Sequence, residues 1–95
     1  MNIDDTVEVY VVGEMNIYKA QENKKILISY LKNNKNVILD LSNVNEFDTA
    51  GLQLLMSFKK TLSVNGKNLY LRAPSECIKN IITLLKMENY FEMVE

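Results

Sequence analysis

An α/β fold, with a mixed but mainly parallel sheet of about four strands and helices packed on it, is what this sequence predicts. Three observations lead there. Strand-like and helix-like segments alternate in the order β-α-β-α-β-α-β. One strand-like segment, residues 36–44, is apolar almost without a break, as strands buried on both faces of a parallel sheet are. The 95 residues are 47% hydrophobic and 24% charged, which suits one folded domain over residues 1–95 with its own core.

The first strand is "TVEVYVVG", residues 6–13. Val7, Val9 and Val11 fall on one face, Glu8, Tyr10 and Val12 on the other, and Gly13 is expected to end it. The next segment places Ile17, Ala20, Lys24, Leu27 and Leu31 at helical spacing, with Ile26 and Tyr30 widening the stripe. Asn16 is its candidate N-cap, and Asn33 and Asn34 its stop. "NVILDLSNV", residues 36–44, is the second strand. A second helix is expected to start around Ala50, to bury Leu52, Leu55, Phe58 or Lys59, and Leu62, and to end at Asn65 and Gly66. "KNLYLRA", residues 67–73, is the third strand. Pro74 opens a third helix, which is expected to bury Ile78, Ile81, Ile82 and Leu85. A short strand around Phe91 to Val94 completes the alternation.

Composition removes several function classes. Net charge is -1 and lysines are interleaved with acids and asparagines, so no basic stripe invites nucleic acid or anionic lipid. There is no histidine, which removes Ser-His-Asp triads, Cys-His pairs and the usual zinc sites. No glycine-rich phosphate loop and no convergent carboxylate pair stand out, so an enzyme, a bound cofactor and a metal site are not expected. Cys77 is the single cysteine, read as a structural thiol in a reducing, cytoplasmic setting. "MNIDDT" has no secretory character, and runs such as Ile81-Ile82 are far too short for direct membrane insertion. Met56, Met87 and Met93 are read as packing residues, and Arg72, the only arginine, as half of a surface ion pair.

The segment "EFDTAGLQLL", residues 46–55, falls where the second strand gives way to the second helix. In open α/β sheets, sites collect at such carboxyl ends of strands. Asp48 or Thr49 can cap the helix, for about 1 kcal/mol. Equally, a phosphate on Thr49 would meet unpaired N–H groups and the positive end of the helix dipole. It would also set about two negative charges on a surface that a partner must fit. Gly51 would allow close backbone approach by another protein. Ser42 and Asn43 can shape the same surface or simply form a turn, and Glu14, Met15 and Asn16 make the neighbouring strand-to-helix loop. Asp40 is read as a hydrogen-bonded carboxylate that orders the loop before Asp48. A receiver-type phosphoacceptor role for Asp40 does not fit, because Asp4 and Asp5 precede the first strand instead of following it.

From about residue 6 to its end, the chain resembles a STAS domain, the fold of bacterial anti-sigma factor antagonists and of the cytoplasmic tails of sulfate transporters. The resemblance rests on "VILDLSNVNEFDTAGLQLL", on the turn Gly13-Glu14-Met15, and on the strand and proline between Gly66 and Pro74. In that family a hydrophobic strand ends in Asp-Leu, and a short loop leads to Asp-Ser-Ser-Gly-Leu or Asp-Thr-Ala-Gly-Leu. The hydroxyl residue directly after the aspartate is the one that the anti-sigma kinase phosphorylates, which is Thr49 here. The resemblance thus implies a protein that binds a histidine-kinase-like anti-sigma factor when unphosphorylated and lets go when phosphorylated. ATP and magnesium would belong to the kinase. The implied partner surface is Glu14, Met15, Asn16, Ser42, Asn43, Asp48, Thr49, Ala50, Gly51 and Leu52. Two features depart from the commoner antagonist pattern. "MNID" is barely long enough for the extra N-terminal strand many antagonists carry. Thr49-Ala50 in place of two serines, together with "MNIYKA", resembles STAS proteins of chemotaxis and phospholipid-transport ABC systems. The alternative this implies is a constitutive adaptor to a chemotaxis or transporter component.

Overall fold

A computed structural model describes residues 5–95, and "MNID", barely long enough for an extra N-terminal strand, lies outside the described residues. The elements are β1 (Thr6–Met15), α1 (Ala20–Leu31), β2 (Asn36–Phe47), α2 (Thr49–Val64), β3 (Leu69–Arg72), α3 (Glu76–Leu84) and β4 (Glu92–Val94). The sheet order is β1-β2-β3-β4, and every described strand pair is parallel. The expected α/β class and element order are therefore present, and the mainly parallel sheet is wholly parallel among the described residues.

Strands that neighbour in chain order and join by right-handed crossovers carry their helices on one face. The core agrees. Val9, Val37, Leu39, Leu41, Leu69 and Leu71 are buried against Leu27, Leu55, Phe58, Leu62, Ile78 and Ile82. The opposite face is more polar: Glu8 and Tyr70 flank the buried Ile38 in one cross-strand row, and Tyr10, Asp40 and Arg72 share the next. The near-continuous burial of β2 thus has a different cause on each face. Helices cover Val37, Leu39 and Leu41, whereas Asp40 is covered by the Arg72 guanidinium bonded to it.

Several boundaries move from their expected places. Gly13 does not end β1. The strand runs on to Met15 through Gly13 at φ 95°, between two register shifts where β2 gains residues on β1. β2 likewise runs three residues beyond Val44, to Phe47. The inner face of α1 is Asn23 and Leu27, with Tyr30 and Leu31 half-buried; Lys24 and Ile26 point outward and Ile17 precedes the helix. Leu85 is 45% exposed, not buried, because α3 ends before it. The N–H of Lys86 returns to the Thr83 carbonyl and that of Met87 to Ile82, a Schellman turn with Lys86 at φ 56°. α2 ends by the same turn at Asn65 and Gly66, as expected, with Gly66 supplying the left-handed residue.

Candidate functional site

The carboxyl ends of β1 and β2 lie side by side, with Glu14 in register with Glu46 and Met15 with Phe47. Asp48 follows directly and has the extended backbone of an N-cap. Its Oδ1 accepts from the backbone N–H groups of Ala50 (2.9 Å) and Gly51 (3.2 Å). Its Oδ2 accepts from the N–H of Ile17 at 3.1 Å, and its own N–H donates to the Met15 carbonyl at 3.4 Å. One carboxylate therefore caps α2 and fastens the β1–α1 loop to it.

Asn16 complements this from the other side. It is buried, and its Oδ1 accepts from the N–H groups of Tyr18 and Lys19, both at 3.1 Å. It caps the turn that leads into α1; the helix's own N-cap is Lys19, whose side chain makes no capping bond. Asn16 Nδ2 also donates to Glu46 Oε2 at 2.9 Å. Asn23, inside α1, donates to the Glu14 carbonyl at 2.9 Å. Neither Glu46 nor Asn23 was singled out from the sequence. The available signal was Asn23 itself, a polar residue three positions from Ala20 and four from Leu27, on the face that must be buried.

Thr49 is exposed on this framework, and its hydroxyl makes no hydrogen bond among the described residues. The N–H groups of Ala50 and Gly51 are already taken by Asp48, and that of Leu52 by the Asp48 carbonyl. A phosphate on Thr49 would find these three donors already engaged and would add charge at the exposed helix start.

The expected partner residues separate into groups. Thr49 and Asn43 are exposed, and Glu14, Asp48 and Ala50 are half-buried. Met15, at 1% exposure, and Leu52, at 3%, lie in the core, and Asn16 and Gly51 are buried. These four support the surface from below. Gly51 does serve close approach, but within the chain: a Cβ there would clash with the Met15 carbonyl and lie 2.9 Å from the Phe47 ring. Ser42 is exposed but is drawn into a different cluster. Its hydroxyl donates to Asp40 Oδ1 at 2.6 Å and its N–H to the same oxygen at 3.1 Å.

Asp40 thus orders the residue just after the strand row it shares with Arg72, and not the loop at Asp48. Arg72 donates through Nε to Asp40 Oδ2 at 3.0 Å, through one terminal nitrogen to Glu8 Oε1 at 2.7 Å, and through the other to the Tyr10 hydroxyl at 3.1 Å. The hydrogen bond from the Ser42 hydroxyl is the largest influence holding the Asp40 carboxyl below its ordinary range; burial opposes it, and Arg72 adds to it. Hydrogen bonds to Glu8 and then Asp40 hold the guanidinium above its ordinary value. Cys77, half-buried at the start of α3, lies 3.3 Å from the Ser75 hydroxyl and donates weakly to the Val44 carbonyl. Among the described residues, no cluster of acidic or cysteine side chains could hold a metal ion, and no helix is long and apolar enough to cross a membrane.

Known proteins resemble this chain in sequence and in fold. An anti-sigma-B factor antagonist of Staphylococcus epidermidis is 31% identical over 93 residues, covering 97% of this chain and 86% of the relative. A crystal structure from Thermotoga maritima, assigned as an anti-sigma factor antagonist, superposes with a TM-score of 0.83 at 25% identity, over 98% of this chain and 81% of that one. The unphosphorylated form of the anti-sigma factor antagonist SpoIIAA shares the fold, with a TM-score of 0.73 at 15% identity over 100% and 84% of the two chains. The sequence profile of the STAS domain matches residues 2–95. By profile and by a relative aligned over nearly its whole length, the chain belongs to the STAS domain family.

Proposed function

We propose that this protein is a single-domain, non-enzymatic partner switch of the anti-sigma factor antagonist kind, acting in the cytoplasm. Unmodified, it binds a histidine-kinase-like anti-sigma factor through the surface around Thr49. The kinase then moves the γ-phosphoryl group of its ATP to the Thr49 hydroxyl: the new O–P bond replaces the bond to ADP, and the hydroxyl proton is released. The observation that carries this reading is the state of Thr49, an exposed hydroxyl without a hydrogen bond among the described residues, one residue beyond a fully engaged N-cap. Because Asp48 already uses the nearby N–H groups, the phosphate's charge of about −1.5 to −2 faces the partner and is not absorbed by the helix.

The test is binding to a purified histidine-kinase-like anti-sigma factor from the same cells. Thr49→Glu should weaken binding about tenfold or more, and Thr49→Ala should leave it unchanged. Equal binding by the two variants removes the switch. Ala50, the feature shared with chemotaxis- and lipid-transport-associated STAS proteins, favours a second reading, a constitutive adaptor. In that case Thr49→Glu and Thr49→Ala would bind a chemotaxis or transporter subunit alike.

A further inference from the structure

A groove of about 650 Å³ runs between α1 and α2, beginning beside Thr49 at Ile17 and Ala50. Its walls follow helical spacing: Ala20, Lys24, Ile28 and Leu31 on α1, and Ala50, Leu54, Ser57 and Thr61 on α2. That is about three turns, or roughly 16 Å. The apolar wall is open to solvent, since Ile17 is 68% and Ile28 46% exposed. An open, three-turn slot between two helices has the shape that receives a third helix by its apolar face.

The charges lining it have one sign. Lys24 and Lys25 line the groove, no acidic residue does, and neither lysine makes an ion pair among the described residues. We propose that the α1–α2 groove is the docking slot for an amphipathic helix of a protein partner, carrying acidic residues that fall beside Lys24 and Lys25. This rests on the partner-binding reading given above and deepens it. A phosphate on Thr49 would stand at the mouth of the slot and repel the same acidic helix. A second copy of this chain suits the slot less well, because two copies related by a twofold axis through this face would bring the lysine pairs together.

The probe is a yeast-displayed library of helical peptides about sixteen residues long, with variable polar faces, panned against the whole protein. Enriched peptides should carry apolar residues at i, i+3, i+4 and i+7 and a majority of Glu or Asp among their charged positions. Their affinity should fall about tenfold in the Lys24→Glu/Lys25→Glu variant and in Ile28→Asp, and stay unchanged in Lys79→Glu on α3. All four positions are exposed, so thermal melts should match the parent and separate lost docking from lost folding. Absence of enrichment, enrichment of neutral or basic peptides, or binding unaffected by the lysine reversals would overturn the proposal. So would a dimer in sedimentation that Ile28→Asp dissolves. None of these outcomes bears on the Thr49 variants, whose partner is a purified kinase, so the two readings fail separately.

Discussion

The β1–α1 and β2–α2 junctions occupy equivalent places in the fold and are built to different standards. At the second, Asp48 caps the helix with its side chain, and the helix begins at the very next residue. At the first, a turn separates β1 from α1, and the helix starts without a side-chain cap. The first turn exposes Ile17 and Tyr18, whereas the second exposes a lone hydroxyl above a buried glycine. The looser junction is made firm by the tighter one, through the bonds of Ile17 to Asp48 and of Asn16 to Glu46. The two loops are thus held to each other by two carboxylates, and that of Asp48 serves both of them directly.

The most damaging way to break this arrangement is Gly51→Ala. Alanine favours a helix by about 1 kcal/mol over glycine. Here the added carbon meets a backbone carbonyl and an aromatic ring that cannot easily give way, so overpacking wins. A net loss of about 2 kcal/mol is expected, seen in urea unfolding as a lower midpoint with an unchanged slope.

Asp48→Ala comes next, at about 1.5 kcal/mol, because it frees the Ala50, Gly51 and Ile17 N–H groups together. Asp48→Asn, which keeps an acceptor, should recover most of that loss. Asn16→Ala sharpens the comparison from the other side. It should cost about 1 kcal/mol, and in a double-mutant cycle with Asp48→Ala the two losses should fall short of additivity, since both slacken one loop. Strict additivity would mean that the junctions are independent.

The smallest effect lies off both junctions. The Asp40 carboxyl is held below its ordinary value chiefly by the Ser42 hydroxyl, so its contribution is complete above the unfolded-state value and is lost as pH falls through the folded one. Between about pH 5 and pH 2 the parent should therefore lose stability more steeply than Asp40→Asn. Parallel acid-unfolding curves would show that Asp40 carries none of the slope.

What the sequence made legible follows from period. The alternation of Val7, Val9 and Val11 and the spacing of Leu52, Leu55 and Leu62 located their elements, because each repeats its burial every turn or every second residue. Asp48 was legible as a cap, and Gly66 as a stop, because those positions have local chemistry. Gly51 was legible as a point of close approach but not in direction, since the Met15 carbonyl that meets it is distant in sequence. Asn23 was missed because its partner is a backbone carbonyl, that of Glu14, whose place at the end of β1 is not legible in local sequence. Ser42 was read as a residue of the Thr49 surface or of a turn, and its bond to Asp40 was not legible because Asp40 takes its other partner from the third strand.

The order β1-β2-β3-β4 has a consequence for how the chain comes to be folded. Each strand joins the one synthesised just before it, so every pairing partner already exists when a new strand leaves the ribosome. The sheet can grow by accretion in one direction, and no strand has to be inserted between two that have already met. The newest strand always presents an edge with a row of unpaired N–H and C=O groups until the next one joins it. β4, the last described strand, is only three residues long, so this edge offers an incoming foreign strand very little to hold.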